Sequence, residues 1–356
     1  MRKYSTVHEA YPQLLREVLV FGNERESRDY KYIEAEHVSW IVMDMTRLIP
    51  WYRSRKLNIF QLIAETLWVL SGEDKIEFLK YYIPSAGKYS DDGEVWRGAY
   101  GPRIKHGLQY VIDLLSVDPE SRRAYLPIFW NIDTEESLST KDLPCNVGVQ
   151  ITINGRERPK GYTELVITRF CRSNDLIFGY TINHFEFSVL AQVIFNTLNN
   201  RGIFIKKAGR FVNHVSSLHL YNDQIKKAEN IVIEAKYSRL HTKEGVNPLA
   251  NTAPANMDMT YNQLSKLPDM LEILLWYQKM SSEELIDEMP NVRQRFTLYD
   301  ATSEFMGLCY RLLMNHIMVR KGLDYELAVD EYDNELNTYA LVQLKRMISK
   351  RSRNAK

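Results

Sequence analysis

The sequence predicts an α+β protein that continues into an all-helical C-terminal extension. Residues 38–45 and 146–154 alternate polar and apolar side chains as half-buried strands do, whereas residues 8–20 and 57–70 repeat apolar side chains at helical spacing. Beyond about residue 255 only the helical spacing recurs. Mixed strands and helices followed by helices alone predict this fold class.

The elements of the first part can be placed in order along the chain. The helix over 57–70 is expected to end at Ser71-Gly72, because glycine readily takes the left-handed conformation that closes many helices. A second apolar helix over 185–198 follows a turn at Asn183. The other expected elements are a helix over 8–20 and strands over 38–45, 124–131, 146–154, 164–172 and 214–221.

A composition change divides the chain into two expected domains. The segment 246–254 is rich in Pro, Asn and Ala and has the composition of a linker. We therefore expect a catalytic domain over 1–245 and a helical extension over 255–356. In the extension, Ser281 and Glu284 form a capping-box pattern before a short helix, and longer helices are expected over 302–320 and 326–350.

Composition limits the classes of function. The 46 basic residues nearly balance the 45 acidic ones, which argues against a nucleic-acid or membrane partner and favours a small anionic ligand at a local site. The three cysteines form no CxxC pair and no metal-ligand spacing, so no metal is expected and the thiols are expected to be reduced. No apolar run approaches the roughly 20 residues of a membrane span. We expect a cytoplasmic protein.

Three features in order favour covalent chemistry on a nucleotide base. Cys145 lies in Asp142-Leu143-Pro144-Cys145-Asn146, Arg172 follows the next expected strand, and Asn183 lies beyond Gly179. Alone, such a cysteine is more often a small buried residue. Together, a cysteine nucleophile, an arginine whose planar fork suits phosphate and an amide able to read a base are the parts that this chemistry requires. Nearby positive charge, chiefly Arg172, is expected to favour the Cys145 thiolate.

Glu65 is conspicuous because it lies within a strongly apolar helix. A buried carboxylate is costly unless it is paired or functional, so Glu65 is a candidate functional residue.

These motifs resemble the thymidylate synthase family over most of the first 225 residues. The resemblance is carried by the segment Ile63–Gly72, the Tyr100-Gly101 pair, the Leu143-Pro144-Cys145 turn and the Arg172-Ser173-Asn174-Asp175 run. It implies the family's sheet with packed helices and a reaction that adds one carbon to C5 of a pyrimidine after a thiolate has attacked C6. It assigns catalytic roles to Glu65, Tyr100, Cys145 and Asp175.

The resemblance also implies a nucleotide site, a cofactor and a partner. The substrate would be dUMP, because the Asn183 amide can donate to a carbonyl and accept from N3–H as uracil requires. The cofactor would be 5,10-methylenetetrahydrofolate. Arg122 and Arg123 would reach the phosphate held by the partner subunit, so a homodimer with shared active sites is expected. The implied substrate-binding residues are Arg28, Arg122, Arg123, Gln150, Arg172, Ser173, Gly179, Asn183, His219 and Tyr221.

Departures from the family pattern bear on the product. The stretch 83–89 replaces the usual pair of tryptophans, Asn146 stands where a histidine usually follows the nucleophile, and no C-terminal segment that closes over folate is recognisable. Because water would then reach the C5 methylene, deoxyuridylate hydroxymethylation is favoured over methylation by a thymidylate synthase. A non-catalytic nucleotide-binding relative, with the extension as an interaction module, is the other alternative. Retention of Cys145 and Glu65 favours an enzyme.

Overall fold

A computed structural model describes residues 1–157, 161–240, 252–324 and 334–354. Its strands form one sheet that also includes a short hairpin. The strands are β1 (Arg2–Tyr4), β2 (Asn23–Ser27), β3 (Tyr30–Val42), β4 (Tyr125–Pro127), β5 (Asn146–Arg156), β6 (Tyr162–Asp175) and β7 (Ile205–Tyr221). The helices are α1 (Val7–Phe21), α2 (Ile59–Ser71), α3 (Glu77–Lys80), α4 (Tyr100–Val117), α5 (Asn131–Glu135), α6 (Gly179–Asn200), α7 (Ile225–Leu240), α8 (Leu267–Lys279), α9 (Ser282–Asp287), α10 (Met289–Thr302), α11 (Glu304–Arg320) and α12 (Glu335–Asn354).

The sheet places β5, β6 and β7 side by side. Its order is β1-β3-β7-β6-β5-β4, with β2 paired to β3. Strand β6 runs antiparallel to β5 and parallel to β7, so the end of β6 lies beside the start of β5 and the end of β7. Helix α6 packs against β6 and β7. The polar residues at those three strand ends are therefore neighbours.

The α+β expectation is confirmed, and most expected elements are present with shifted bounds. Gly72 closes α2 with φ 83°, as its position predicted, and the Ser281 capping box begins α9. Strand β7 begins at Ile205 instead of residue 214, because pairing with β6 from Ile205 and with β3 from Phe211 extends it through a stretch with weak alternation. The strand expected over 124–131 is only Tyr125–Pro127, since α5 begins at Asn131. Much of the expected linker, and the start of the last expected helix, lie outside the described residues.

The chain divides into two compact units. The first, here called the sheet unit, comprises Met1–Leu57 and Arg103–Asn247; the second, here called the helical unit, comprises Asn58–Pro102 and Pro248–Lys356. One division falls inside the expected linker, but the segment 58–102 groups with the C-terminal helices. The division into a catalytic domain and a separate extension remains a prediction, because it was drawn from composition alone.

Within the helical unit, α11 forms the core and supports α2. Residues from Phe305 to Val319 are buried, and α11 packs against α2, α8, α10 and α12. The His316 ring stacks on Phe60 of α2 at a centroid separation of 4.3 Å and on Tyr82 at 5.5 Å. Burial lowers the pKa of His316 to about 3, so this ring is neutral and acts as an aromatic packing group. The C-terminal helices thus build the support for the helix that carries Glu65.

Replacing His316 tests this packing. His316→Ala should lower the free energy of unfolding by about 2–4 kcal/mol, because it removes a buried ring and leaves a cavity against Phe60. His316→Phe should cost far less, because it keeps the stacked ring and omits an Nδ1 atom that has no hydrogen-bond partner among the described residues. Urea unfolding measures both. Leu298→Ala, at a leucine that is 59% exposed, is the control and should change little. Equal losses for Ala and Phe at position 316 would contradict the packing role.

Candidate active site

Arg172 fixes the turn that carries Cys145. Its backbone N–H donates to the Cys145 carbonyl at 2.9 Å, as the antiparallel pairing of β5 and β6 requires. Its guanidinium Nε donates to the Pro144 carbonyl at 2.9 Å, and Nη2 donates to the Leu143 carbonyl at 3.1 Å. Three successive carbonyls of the turn are therefore held by one residue. The expectation that Arg172 lies beside Cys145 is confirmed.

Burial opposes the expected effect of Arg172 on the Cys145 thiol. Burial of the thiol raises the pKa of Cys145 to about 11, although the residue as a whole keeps part of its surface exposed. The positive charge of Arg172 lowers this pKa, but Cys171, Asp142 and Asp175 raise it further. The expected thiolate-favouring cation is present, and desolvation outweighs it. Without substrate, the thiol is protonated at neutral pH.

The ends of β6 and β7 bring Ser173, Asp175, His219 and Tyr221 into one area. In the parallel register Ser173 lies opposite Ser217, and Asp175 lies opposite His219. The Asp175 carboxylate accepts hydrogen bonds from the backbone N–H groups of Ile177 at 2.5 Å and Phe178 at 2.7 Å.

Gln224 joins Asp175 to Tyr221. Its Nε2 donates to Asp175 at 2.8 Å, while its Oε1 accepts from the Tyr221 N–H at 3.2 Å. Gln224 lies just beyond the last motif and was not among the predicted site residues. Its only signal was its position three residues after Tyr221, where a side-chain amide can cap the turn.

Burial favours the neutral forms of Asp175 and His219. It raises the pKa of Asp175, with the hydrogen bonds from Phe178 and Gln224 opposing the rise. It lowers the pKa of His219, with the Asp175 charge opposing the fall. The His219 ring also lies edge-on to Tyr221 at 5.1 Å and to Tyr32 at 5.6 Å. An aromatic cluster therefore surrounds the polar tips at the end of β7.

Asn183 lies in a buried network that sequence reasoning missed. The Asn183 Oδ1 accepts from Arg169 Nη1 at 3.2 Å, and its Nδ2 donates to Glu186 Oε2 at 3.3 Å. Arg169 Nη2 also donates to Asn174 Oδ1 at 2.7 Å. The signal for Arg169 was its place in the inward alternation of β6, between Ile167 and Cys171. Glu186 was a carboxylate within an apolar helix.

Gly179 begins α6 next to this network. A Cβ added there would lie 3.0 Å from Asn174 Nδ2, so glycine leaves room for the Asn174 amide.

Arg122, Arg123 and Gln150 lie together at another part of the sheet unit. Both arginines are exposed and, with Asp118, Glu120 and Ser121, they line a surface concavity. Gln150 on β5 donates through Nε2 to the Arg122 carbonyl at 3.0 Å. The structure thus groups Gln150 with the arginine pair, through a hydrogen bond that fixes the Arg122 backbone.

Arg28 lies at the tip of the β2–β3 hairpin. Arg28 and Asp29 form its two-residue turn, with φ angles of 50° and 65°. Left-handed angles at both positions are those of a type I′ turn. The exposed Arg28 side chain makes no ion pair with any residue that the structure describes.

Glu65 and Tyr100 belong to the helical unit. Burial raises the pKa of Glu65 to about 7, and a hydrogen bond from Gln61 Nε2 at 3.5 Å lowers it only partly. Tyr100 begins α4, and Gly101 follows it. A Cβ at Gly101 would lie 2.7 Å from the Glu73 carbonyl and 2.9 Å from that of Val69, so only glycine allows this approach. The Tyr-Gly pair is therefore fixed against the end of α2.

The comparison with known proteins decides the family. A sequence profile described as thymidylate synthase matches residues 9–260. The chain belongs to the thymidylate synthase family. Deoxyuridylate hydroxymethyltransferase of Delftia phage PhiW-14 is 37% identical over 186 residues, which are 49% of this chain and 50% of that protein. The chain therefore matches about half the length of this relative.

Two further relatives differ in how much of this chain they match. Deoxyuridylate hydroxymethyltransferase of Bacillus phage SP01 is 25% identical over an alignment of 369 positions, with 97% of this chain and 83% of the relative covered. Thymidylate synthase of Buchnera aphidicola subsp. Schizaphis graminum is 23% identical over 235 residues, which are 63% of this chain and 83% of that protein. The similarity to the SP01 protein must therefore include the C-terminal helices.

Two of the departures from the family pattern, the stretch 83–89 and Asn146, lie among the described residues, and Trp96 contacts the first of them. Trp96 packs edge-to-face on Trp68 at 5.6 Å and donates through Nε1 to the Ala86 carbonyl at 3.0 Å. The indole is thus used for packing inside the helical unit. Asn146 is fully buried directly after Cys145, and neither polar atom of its amide has a hydrogen-bond partner among the described residues.

In the described ranges no three His, Cys, Asp or Glu side chains are grouped to hold a metal ion. None of the helices described is long and apolar enough to cross a bilayer.

The Glu65 pKa predicts a pH-dependent stability. Because the pKa in the folded state, about 7, exceeds the usual 4.5, the folded protein retains a proton that the unfolded chain loses. Ionisation therefore destabilises the fold as the pH rises through this window. Glu65→Gln mimics the neutral form, so its stability advantage should grow from near zero at pH 4.5 to about 1–3 kcal/mol at pH 8.

Urea unfolding at several pH values measures this difference. Glu283→Gln removes an exposed carboxylate of the same unit and serves as the control, with no comparable pH dependence expected. A Glu65→Gln advantage that is constant across the range would show that Glu65 has an ordinary pKa.

Proposed function

We propose that this protein is a transferase that adds a one-carbon unit from methylenetetrahydrofolate to C5 of dUMP, and that it releases 5-hydroxymethyl-dUMP. The observation that carries the proposal is the Pro144-Cys145 turn held by Arg172, because it presents a nucleophile beside a cation. A protein that only bound nucleotides would need neither Cys145 nor a protonatable Glu65.

Arg172 can donate hydrogen bonds to the turn and to the substrate phosphate at the same time. A guanidinium has five N–H donors, and two of those of Arg172 are used on the Pro144 and Leu143 carbonyls. The remaining donors suit phosphate oxygens, with Ser173 as a neighbouring hydroxyl donor. Phosphate binding would then draw on the same residue that orients Cys145, so that the nucleotide and the nucleophile are aligned together.

The thiol acts on C6 of the base. Cys145 loses its proton and its sulfur adds to C6, which makes C5 a carbon nucleophile. C5 would then form a bond to the one-carbon unit of methylenetetrahydrofolate. Loss of the C5 proton would expel tetrahydrofolate as the leaving group and leave a methylene on C5. We assign the proton transfers to Glu65 and Tyr100, because a carboxyl with a pKa of about 7 can both give and take a proton near neutrality.

The residues near Asp175 fit a folate ring. The Asp175 carboxylate is fixed by backbone N–H groups and by Gln224, and it can accept from the N–H edge of a flat heterocycle. Phe178, between Asp175 and Gly179, is 57% exposed and offers an aromatic face for stacking. Methylenetetrahydrofolate supplies a one-carbon unit at the oxidation level of formaldehyde, with a hydride in addition when a methyl group is made.

Two observations support the addition of water, instead of hydride, to the C5 methylene. The relative from phage SP01, named a deoxyuridylate hydroxymethyltransferase, matches 97% of this chain, whereas the Buchnera thymidylate synthase matches 63%. In addition, the buried Asn146 amide offers a donor and an acceptor for a water molecule beside Cys145. Water adds its oxygen to the C5 methylene and its proton is released, while Cys145 leaves C6 as the thiolate.

We further propose that two copies share their sites. Arg122 and Arg123 are exposed and available to a second chain. The sheet face opposite α6 carries a half-exposed aromatic row, in which Phe170 stacks on His214 at 5.3 Å and contacts Tyr125 at 6.2 Å. Such a row suits burial against a second copy.

Complementation tests the shared site. Cys145→Ser and Arg123→Ala homodimers should both be nearly inactive, whereas a mixture should recover up to about a quarter of wild-type activity, because some heterodimers contain one intact site. Release of tritium from C5-labelled dUMP measures activity. Subunit exchange is established separately by native mass spectrometry. Exchange without recovery of activity would show that each site is built from one chain. The control is Cys309→Ser, a substitution at a buried cysteine, which should remain active.

The product distinguishes the proposed reaction from its alternative. Mass spectrometry of the nucleotide should find 5-hydroxymethyl-dUMP, and the folate should remain at the tetrahydro level because no hydride is consumed. Asn146→Val, which cannot bind water through its side chain, should lower product formation more than tritium release. Stoichiometric dihydrofolate with thymidylate would establish a thymidylate synthase instead. Absence of both tritium release and product would indicate a non-catalytic nucleotide-binding protein.

A further inference from the structure

We infer that Arg169 and Glu186 are positioning residues that hold the Asn183 amide in the one orientation that reads uracil. The inference rests on the proposed function, in which Asn183 faces the base. Both residues contact Asn183 directly, from opposite ends of its amide.

The network is fully enclosed. Arg169 has no exposed surface, Glu186 is 3% exposed and Asn183 is 7% exposed. A guanidinium and a carboxylate are costly to bury unless hydrogen bonds satisfy them, so their retention in this core calls for a role. Here the two opposite charges are joined through the amide of Asn183.

The two charged groups determine which atom of the Asn183 amide is the oxygen and which is the nitrogen. A guanidinium only donates hydrogen bonds, so the atom at 3.2 Å from Arg169 Nη1 must be the amide oxygen. An ionised carboxylate only accepts, so the atom at 3.3 Å from Glu186 Oε2 must be the amide nitrogen. The flipped amide would place donor against donor and acceptor against acceptor.

This orientation leaves the groups that uracil needs. Oδ1 of Asn183 keeps a lone pair that can accept N3–H, and Nδ2 keeps one hydrogen that can donate to O4. Cytosine presents the opposite pattern, an acceptor at N3 and an amino donor beside it. Reading cytosine would require the flipped amide, which Arg169 and Glu186 oppose. The pair thereby excludes the cytosine nucleotide.

Arg169 is itself fixed in place. Its Nη2 donates to Asn174 Oδ1 at 2.7 Å, and its backbone lies within β6 between two strands. The absence of a side chain at Gly179 leaves space for the Asn174 amide. The determinant of base choice therefore extends from the start of α6 into the centre of the sheet.

Glu186→Gln tests the inference, because a glutamine amide can either donate or accept and so permits Asn183 to flip. Calorimetry gives the Kd of dUMP and of dCMP, and steady-state kinetics gives kcat/KM for each. Wild type should prefer dUMP by about 10²-fold or more. Glu186→Gln should reduce that preference at least about tenfold, mainly through tighter dCMP binding. Arg169→Gln should act alike, and the donor-only Arg169→Lys should restore most of the preference.

Thr197→Val is the matched control. Thr197 is a buried residue near the other end of α6 that donates to the Val193 carbonyl at 2.7 Å, and its loss should leave the dUMP preference unchanged. A folded Glu186→Gln protein with wild-type preference in binding would overturn the inference, and Arg169→Gln decides it if Glu186→Gln does not fold. A wild type that discriminates in binding but turns over neither nucleotide would overturn the proposed reaction and leave base selection supported.

Discussion

The clamp of Arg172 on the Pro144-Cys145 turn is the interaction on which the site depends. One residue uses its backbone and its guanidinium to hold three successive carbonyls, so the nucleophile cannot move independently of β6. The next residues of β6, Ser173 and Asp175, are then placed relative to Cys145 by strand geometry alone. The parallel pairing with β7 adds His219 in the same way. The register of these long strands therefore determines which of these side chains are neighbours in the site.

In each of the two units, burial changes the pKa of residues assigned to the chemistry. Burial raises the pKa of Cys145 and of Glu65, and it favours neutral Asp175 and His219. On the Cys145 thiol, desolvation and the positive charge of Arg172 act in opposite directions, and desolvation has the larger effect. Arg169 and Glu186 are buried at the two ends of the Asn183 amide, where hydrogen bonds to that amide satisfy them.

Part of the site was predictable from the sequence, and the rest depends on burial and on packing between distant segments. The adjacency of Cys145 and Arg172 was predictable because an antiparallel partner strand returns past the turn. The effect of Arg172 on Cys145 was expected, but the larger opposing effect of burial was not, since a neighbouring cation is visible in sequence and the extent of burial is not. Arg169 and Glu186 were missed because only the register of β6 and the start of α6 show that they meet at Asn183. The grouping of residues 58–102 with the C-terminal helices also depends on packing between distant segments, such as His316 on Phe60.

The most direct test of the clamp is the apparent pKa of Cys145, from the pH dependence of its alkylation by iodoacetamide. Peptide mass spectrometry separates Cys145 from the buried Cys171 and Cys309. Because Arg172 is the group that lowers the pKa of Cys145, Arg172→Ala should raise it and slow alkylation at pH 8 by about tenfold. Arg172→Lys should be intermediate. Equal or faster alkylation of Cys145 in a folded Arg172→Ala protein would contradict the account.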